Sequence, residues 1–151
     1  MTSRLVTLDE GLSSVYSTED LNSNDENSAL LHIIQIHQDD ITLNVQLQLL
    51  AFIAWHEAFH QLRTVEQLGY VYLVTHRYDL GVHGLQFTVL SAVKGPRYID
   101  TRVQSFLESF ESKLLKMSEV DFKVATLRKL AKQELIAFFN EHIRIGAQEG
   151  A

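Results

Sequence analysis

The middle of the chain contains the pattern His-Glu-x-x-His, formed by His56, Glu57 and His60. On a helix, two histidines four residues apart lie on one face, where they could bind zinc while the glutamate activates a water molecule. Short patterns of this kind also arise by chance on polar helix surfaces. Since no clear signature of a third ligand follows, a small zinc protease built on these residues is a hypothesis, and not the favoured interpretation.

A second group of side chains suited to chemistry follows directly and includes Arg63 and Tyr70. A guanidinium offers five hydrogen-bond donors in a fixed fork, and a phenol offers one more. Such donors can hold peptide carbonyl groups and stabilise the oxyanion that develops when an amide is hydrolysed. In the alternative, Arg63 pairs with Glu66 and Tyr70 packs in a sheet. The residues alone favour this alternative, because most such residues are structural.

The other histidines are scattered along the chain, and none has a partner at a metal-binding spacing. Each is therefore interpreted as a strand or surface residue and not as a metal ligand, although His32 and His83 could meet across a sheet. The set comprises His32, His37, His76, His83 and His142.

The composition is that of an ordinary globular domain, because 46% of the 151 residues are hydrophobic and 21% are charged. The net charge of -6 and the lack of a basic stripe argue against binding to nucleic acid. The chain has no cysteine, which excludes disulfide bonds and thiolate metal sites. No apolar run has the length of a membrane span, and the N-terminus lacks the apolar core of a signal peptide. We therefore expect a cytoplasmic protein that does not bind membranes.

Three strands are predicted, together with one shorter candidate at residues 13–17. A dense apolar run predicts a strand over 29–37. A second strand over 71–75 and a third over 82–92 flank a turn at 76–81, which contains an aspartate and a glycine. The second and third strands are expected to form an antiparallel pair.

Helices are predicted over 41–62 and 98–117, and a third begins after Ser118. Aspartates before the first helix and the serine before the third can act as caps. The N-terminal segment of residues 1–26 is expected to be partly loop. For residues 27–151 we expect a single α+β domain, with an antiparallel-rich sheet and helices packed on one face.

The run Phe59-His-Gln-Leu-Arg-Thr-Val-Glu-Gln-Leu-Gly-Tyr70 closely resembles a motif of the insulysin/pitrilysin family of zinc metalloendopeptidases. In that family a phenylalanine, a polar pair, Leu-Arg-Thr, one variable residue and Glu-Gln-Leu-Gly-Tyr mark the C-terminal half of the enzyme. The element order over residues 27–122 and 129–143 also resembles the last of the family's homologous α/β domains. The resemblance implies that the domain over 27–151 is incomplete: a helical stretch is missing inside it, and the closing strand is missing after it.

The resemblance also implies a role for three residues of the motif. Arg63 and Tyr70 match residues that reach across a closed chamber to a peptide bound at the zinc of the other half. Phe59 matches a residue that forms a wall of the pocket for the side chain after the scissile bond. Glu66 and Gln67 are expected to hold the backbone of the turn, as polar turn residues do.

The family holds its zinc with an inverted pattern, His-x-x-Glu-His, in the N-terminal half, and this pattern does not occur in the chain. The resemblance therefore implies no catalytic residue, no metal ligand and no cofactor for the chain alone. We interpret the chain as a C-terminal-half fragment or truncated paralogue of an insulysin-like peptidase, which binds peptide substrate within a complete enzyme. Its partner would be an N-terminal metallopeptidase half or a second copy of itself. A non-catalytic module that binds peptides or proteins is the alternative, ahead of the small zinc protease.

Overall fold

The structure, a computed structural model, describes residues 5, 7–19, 21–22 and 24–139, except for the side chains of residues 132–136, 138 and 139. Contacts between residues divide the chain into two compact units, Met1–Glu111 and Ser112–Ala151. Over the described residues, every helix is too short or too polar to cross a membrane.

The first unit is built on a three-stranded antiparallel sheet in the order β1-β3-β2. Strand β1 spans Ser28–Gln38, β2 spans Val71–Asp79 and β3 spans Val82–Ser91. Strand β3 pairs with both neighbours, so the sheet depends on this central strand. The tight turn at 80–81 has positive φ at both residues, which is the geometry that a two-residue hairpin requires.

The two faces of the sheet differ in their exposure to solvent. Residues alternate along β3, and those at odd positions from 83 to 91 are buried, whereas the even positions from 86 to 90 are partly exposed. On the opposite face of the sheet, Leu31 and Leu73 are exposed. The buried face forms the core of the first unit with Tyr72, Val74, Leu85, Phe87 and Val89.

Two helices supply the apolar side chains that pack on this buried face. Helix α1 spans Ile41–Ala58, and α2 spans Pro96–Lys116. Asp40 caps α1, because its carboxylate accepts a hydrogen bond of 2.9 Å from a backbone N–H of the first turn. From α2, the ring of Phe106 lies edge-on to Phe87 of the sheet, with 6.1 Å between the ring centroids.

Helix α1 continues directly into a π-helix, Phe59–Val65. Its wider hydrogen bonding is visible at its end, where the N–H of Glu66 donates to the carbonyl of Gln61 at 3.0 Å. The chain then turns at Gln67, whose φ of 51 lies in the left-handed region. We refer to residues 59–70, which link α1 to β2, as the corner.

The corner is fastened to the end of β3 on both sides of Gly69. The buried Ser91 donates its hydroxyl to the carbonyl of Leu68 at 2.5 Å, and the N–H of Tyr70 donates to the carbonyl of Leu90 at 2.9 Å. Between these bonds, the backbone of Gly69 lies so close to Leu90 that a Cβ atom would overlap its carbonyl group.

The second unit contains helix α3, which spans Glu119–Phe139. The predicted cap is present, because the N–H of Asp121 donates to the Ser118 hydroxyl oxygen at 3.1 Å. The Ser118 hydroxyl in turn donates to the Asp121 carboxylate at 2.8 Å.

The predicted α+β class, with an antiparallel sheet and helices on one face, is confirmed. Three predicted details are wrong. Residues 13–17 form no strand, and the N-terminal segment instead touches the sheet through the N–H of Leu8, which donates to the Gln35 side chain at 2.8 Å. The helix predicted over 41–62 changes to π geometry at residue 59. The predicted turn at 76–81 is reduced to two residues, because residues up to Asp79 pair with β3.

Tyr72 leads to a prediction about stability. Its side chain is 5% exposed, and its hydroxyl forms no well-aligned hydrogen bond with the described residues, although the Gly69 backbone lies nearby. Burial raises the pKa of Tyr72 above its ordinary value of 10.0, and the nearby Gly69 backbone and Arg63 charge offset this effect only in part. The folded chain therefore holds the phenol proton more tightly than the unfolded chain does. This contribution to stability is complete below pH 10 and is lost as pH rises above it.

We expect Tyr72→Phe to raise the free energy of unfolding by about 1 kcal/mol, because the variant no longer buries an unpaired hydroxyl. It should also reduce the fall in stability above pH 10. Urea unfolding at pH 7 and pH 10.5 measures both effects, with the exposed Tyr78→Phe as the control. A Tyr72→Phe variant that is less stable at pH 7 would show that the hydroxyl has a partner.

Candidate functional site

Arg63 and Phe59 lie on the π-helix and are in contact. The guanidinium carbon of Arg63 is 4.7 Å from the centre of the Phe59 ring, which is a cation–π contact. On its other side Phe59 packs against Trp55, with 6.0 Å between the ring centroids. Arg63 is exposed and forms no ion pair with a carboxylate in the described part of the chain.

Tyr70 also lies at the surface, with half of its side chain exposed. Its hydroxyl donates a hydrogen bond of 3.1 Å to the side-chain oxygen of Asn27, which directly precedes β1. The interpretation in which Tyr70 packs in the sheet is therefore wrong. Tyr70 precedes β2, and its hydroxyl is held by a polar contact at the end of the sheet.

Glu66 does not pair with Arg63, and that part of the structural interpretation is also wrong. Arg102 of α2 instead donates to both carboxylate oxygens of Glu66, from Nε at 2.7 Å and from Nη2 at 2.8 Å. Gln61 donates a third hydrogen bond to this carboxylate at 2.8 Å. The hydrogen bond and the charge of Glu66 raise the pKa of Arg102 above its ordinary value.

The sequence of this region matches known proteins. A family model described as PQQ synthase PqqF-like, C-terminal lobe domain 4, matches residues 49–140. The chain is 42% identical, over 188 aligned positions that include 97% of its residues, to "Insulin-degrading enzyme-like 1, peroxisomal" of Arabidopsis thaliana. The chain belongs to the insulysin/pitrilysin family. It spans 19% of the length of that Arabidopsis relative.

Two further family members agree with this assignment. The insulin-degrading enzyme of Homo sapiens is 33% identical over 98 residues, which cover 62% of the chain and 10% of the human protein. The crystal structure of pitrilysin superimposes with a TM-score of 0.63 at 27% identity, over 72% of the chain and 12% of pitrilysin. The fold described above is therefore that of a part of these much longer proteins.

The structure places the three residues of the family motif in one exposed corner. Phe59 and Arg63 touch each other, whereas the Tyr70 hydroxyl bonds to Asn27 and to neither of them. The roles in substrate binding that the resemblance implies for these three residues remain predictions.

The His-Glu-x-x-His pattern lies at the junction between α1 and the π-helix. The Nδ1 atom of His56 lies 3.0 Å from the carbonyl oxygen of Phe52, so this nitrogen carries a proton and donates. The His56 ring packs against Phe52 and Trp55, while His60 is exposed on the next turn. Among the residues that the structure describes, no group of three or more His, Cys, Asp or Glu side chains is placed to hold a metal ion. The described residues thus do not fit the zinc ion that is implied by the insulysin/pitrilysin family.

His32 and His83 do not meet across the sheet, so the suggestion that they could is wrong. The register pairs His32 with Phe87 and pairs His83 with His37. Nδ1 of His32 instead lies 2.7 Å from a carboxylate oxygen of Asp100 on α2. This contact ties the edge strand β1 to the helix above it.

His83 is the centre of a histidine cluster at the end of the sheet opposite Tyr70. Its Nδ1 lies 2.7 Å from Nε2 of His76, and the planes of the two rings are parallel to within 6°. Its Nε2 lies 2.5 Å from the carboxylate of Asp39, and His37 stacks on its ring at 4.9 Å between centroids. Because both nitrogens of the buried His83 are engaged, we interpret the cluster as structural.

Two residues outside the motif, Arg102 and Asn27, contact it in the structure, and the sequence does not predict either contact. Their partners Glu66 and Tyr70 lie 36 and 43 positions away in the sequence. The only indication of the Glu66–Arg102 contact in the sequence is that the two residues have opposite charges. Many other pairs of charged residues meet the same condition. The strand register, which sequence does not give, is needed to find the second contact.

Proposed function

We propose that this chain supplies the substrate-binding corner of an insulysin-type peptidase, whose zinc is held by another part of the complete enzyme. The observation that carries the proposal is the state of Arg63. Its guanidinium is exposed, unpaired with any carboxylate of the described residues, and in contact with the Phe59 ring. The carboxylate of Glu66, three residues further on, is paired with Arg102 and not with Arg63.

The corner offers the groups that amide hydrolysis requires from a substrate-binding wall. The guanidinium of Arg63 and the hydroxyl of Tyr70 are hydrogen-bond donors that can bind peptide carbonyl oxygens and stabilise the developing oxyanion. The ring of Phe59 offers an apolar surface for a side chain of the peptide. In this proposal the substrate is a peptide in extended conformation, the partner is a zinc-binding half, and the cytoplasm is the compartment.

The experiment that tests the proposal is complementation in trans. The Arabidopsis relative is prepared without the segment that this chain matches, and the 151-residue chain is added as a separate protein. We expect chelator-sensitive cleavage of a quenched fluorescent peptide from the mixture, and none from the chain alone. We call this mixture the reconstituted enzyme.

Two outcomes would contradict the proposal. Turnover by the chain alone that is lost in His60→Ala would favour the small zinc protease. A mixture that associates, as measured by analytical ultracentrifugation, but cleaves no peptide would leave a protein-interaction module as the better interpretation.

A further inference from the structure

The carboxylate of Glu66 accepts three hydrogen bonds, two of which come from Arg102 outside the motif. Arg102 occupies both of its oxygens, at 2.7 and 2.8 Å, and Gln61 donates a third bond at 2.8 Å. The side chain of Glu66 is 14% exposed, so little solvent reaches it, whereas that of Arg102 is 34% exposed. The carboxylate therefore depends on protein donors for its stabilisation.

Glu66 caps the C-terminal end of the π-helix and follows Arg63 by three residues, so the two opposite charges are close in the sequence. Both charges also act on the buried hydroxyl of Tyr72, where Arg63 favours the ionised form and Glu66 opposes it. Both charges are therefore close enough to Tyr72 to affect the pKa of its hydroxyl. Nevertheless, the guanidinium carbon of Arg63 lies 4.7 Å from the centre of the Phe59 ring, and Glu66 pairs with Arg102.

We propose that Arg102 is a positioning residue, which keeps Arg63 available for substrate by holding the competing carboxylate of Glu66. The inference rests on the proposed function of Arg63 and adds a residue outside the corner that controls the position of Arg63. Without Arg102, a poorly solvated carboxylate would need a new cation, and Arg63 is the arginine nearest to Glu66 in the sequence. Arg63 would then turn away from Phe59 and from the substrate.

The test measures the availability of Arg63 directly in the full-length chain. Phenylglyoxal modifies free guanidinium groups, and it reacts more slowly with an arginine that is paired with a carboxylate. Modification rates at Arg63 are obtained by mass spectrometry and normalised to the exposed Arg128. We expect Arg102→Met to slow the reaction at Arg63 about fivefold, which is the upper range for an ion pair near a protein surface.

The double variant Arg102→Met/Glu66→Gln separates positioning from mere structural support. Because it removes the competing carboxylate, the rate at Arg63 should return to within about twofold of the unmodified chain. Arg102→Lys keeps the positive charge but loses the bidentate geometry, so the rate at Arg63 should lie between those of the unmodified chain and Arg102→Met. Arg97→Met removes an exposed arginine from the same helix and should change nothing.

The outcomes distinguish this inference from the proposed function. An unchanged rate at Arg63 in Arg102→Met, or a rate that stays low in the double variant, would overturn the positioning role. Should Arg102→Met not fold by circular dichroism, Arg102→Gln serves the same comparison with a neutral donor. Binding of a fluorescein-labelled peptide by the same variants is measured by anisotropy. If the rate at Arg63 follows the prediction while affinity does not, Arg102 positions Arg63 but the proposed function is wrong.

Discussion

Replacing Arg63 by alanine should lower the turnover of the reconstituted enzyme by about a hundred- to a thousandfold, the usual effect of removing one oxyanion donor. The stability of the chain should change little, because Arg63 is exposed and its contact with Phe59 is worth only about 0.5–1 kcal/mol. Steady-state cleavage of a quenched peptide gives the turnover, and urea unfolding of the chain gives the stability. Arg97→Ala, an exposed arginine on α2, is the matched control.

At Tyr70, the effect of the hydroxyl group itself can be measured separately from the effect of the contact that positions it. Tyr70→Phe removes the hydroxyl, whereas Asn27→Ala removes only the acceptor that holds this hydroxyl at 3.1 Å. If the hydroxyl acts on substrate, Tyr70→Phe should lower turnover by about a hundredfold and Asn27→Ala by much less. Full turnover in Arg63→Ala and Tyr70→Phe would show that the corner has a structural role alone.

The sequence predicts well those features that are set by neighbouring residues. The apolar run of β1 and the alternation of β3 locate these strands to within a residue of their observed ends, because burial of one face acts on each strand separately. The caps at Asp40 and Ser118 are also predicted, since each bond spans only three residues. Local chemistry decides all of these features.

The remaining features depend on contacts between distant residues, and sequence analysis misses them. The π-helix lies between α1 and the point where the corner bonds to the end of β3. No residue type in the sequence indicates its wider turn. The partly buried pair of Glu66 and Arg102 is not signalled by the sequence, in which Arg63 is the arginine nearest to Glu66. The cluster around His83 likewise follows from the strand register.

Replacing Gly69 by alanine should destabilise the first unit by about 3 kcal/mol, the upper end of what overpacking usually costs. The added Cβ would lie 3.0 Å from the carbonyl carbon of Leu90, closer still to its oxygen, and 3.1 Å from Cα of Ser91. These are backbone atoms of the central strand, so they cannot move aside as the end of a flexible side chain can. Gly95→Ala is the matched control, because a Cβ at that position meets nothing within 4 Å.

The loss at Gly69 should appear in function as well as in stability. The bonds from Ser91 to Leu68 and from Tyr70 to Leu90 lie on either side of the glycine, and both would lengthen if the corner moved away from β3. Since a domain has a total stability of only about 5–15 kcal/mol, the variant should unfold at clearly lower urea concentration, while Gly95→Ala should not. Peptide affinity should fall in the fraction that remains folded, because Tyr70 is displaced from Asn27. An alanine at 69 with unchanged stability and affinity would mean that the corner does not depend on close packing against β3.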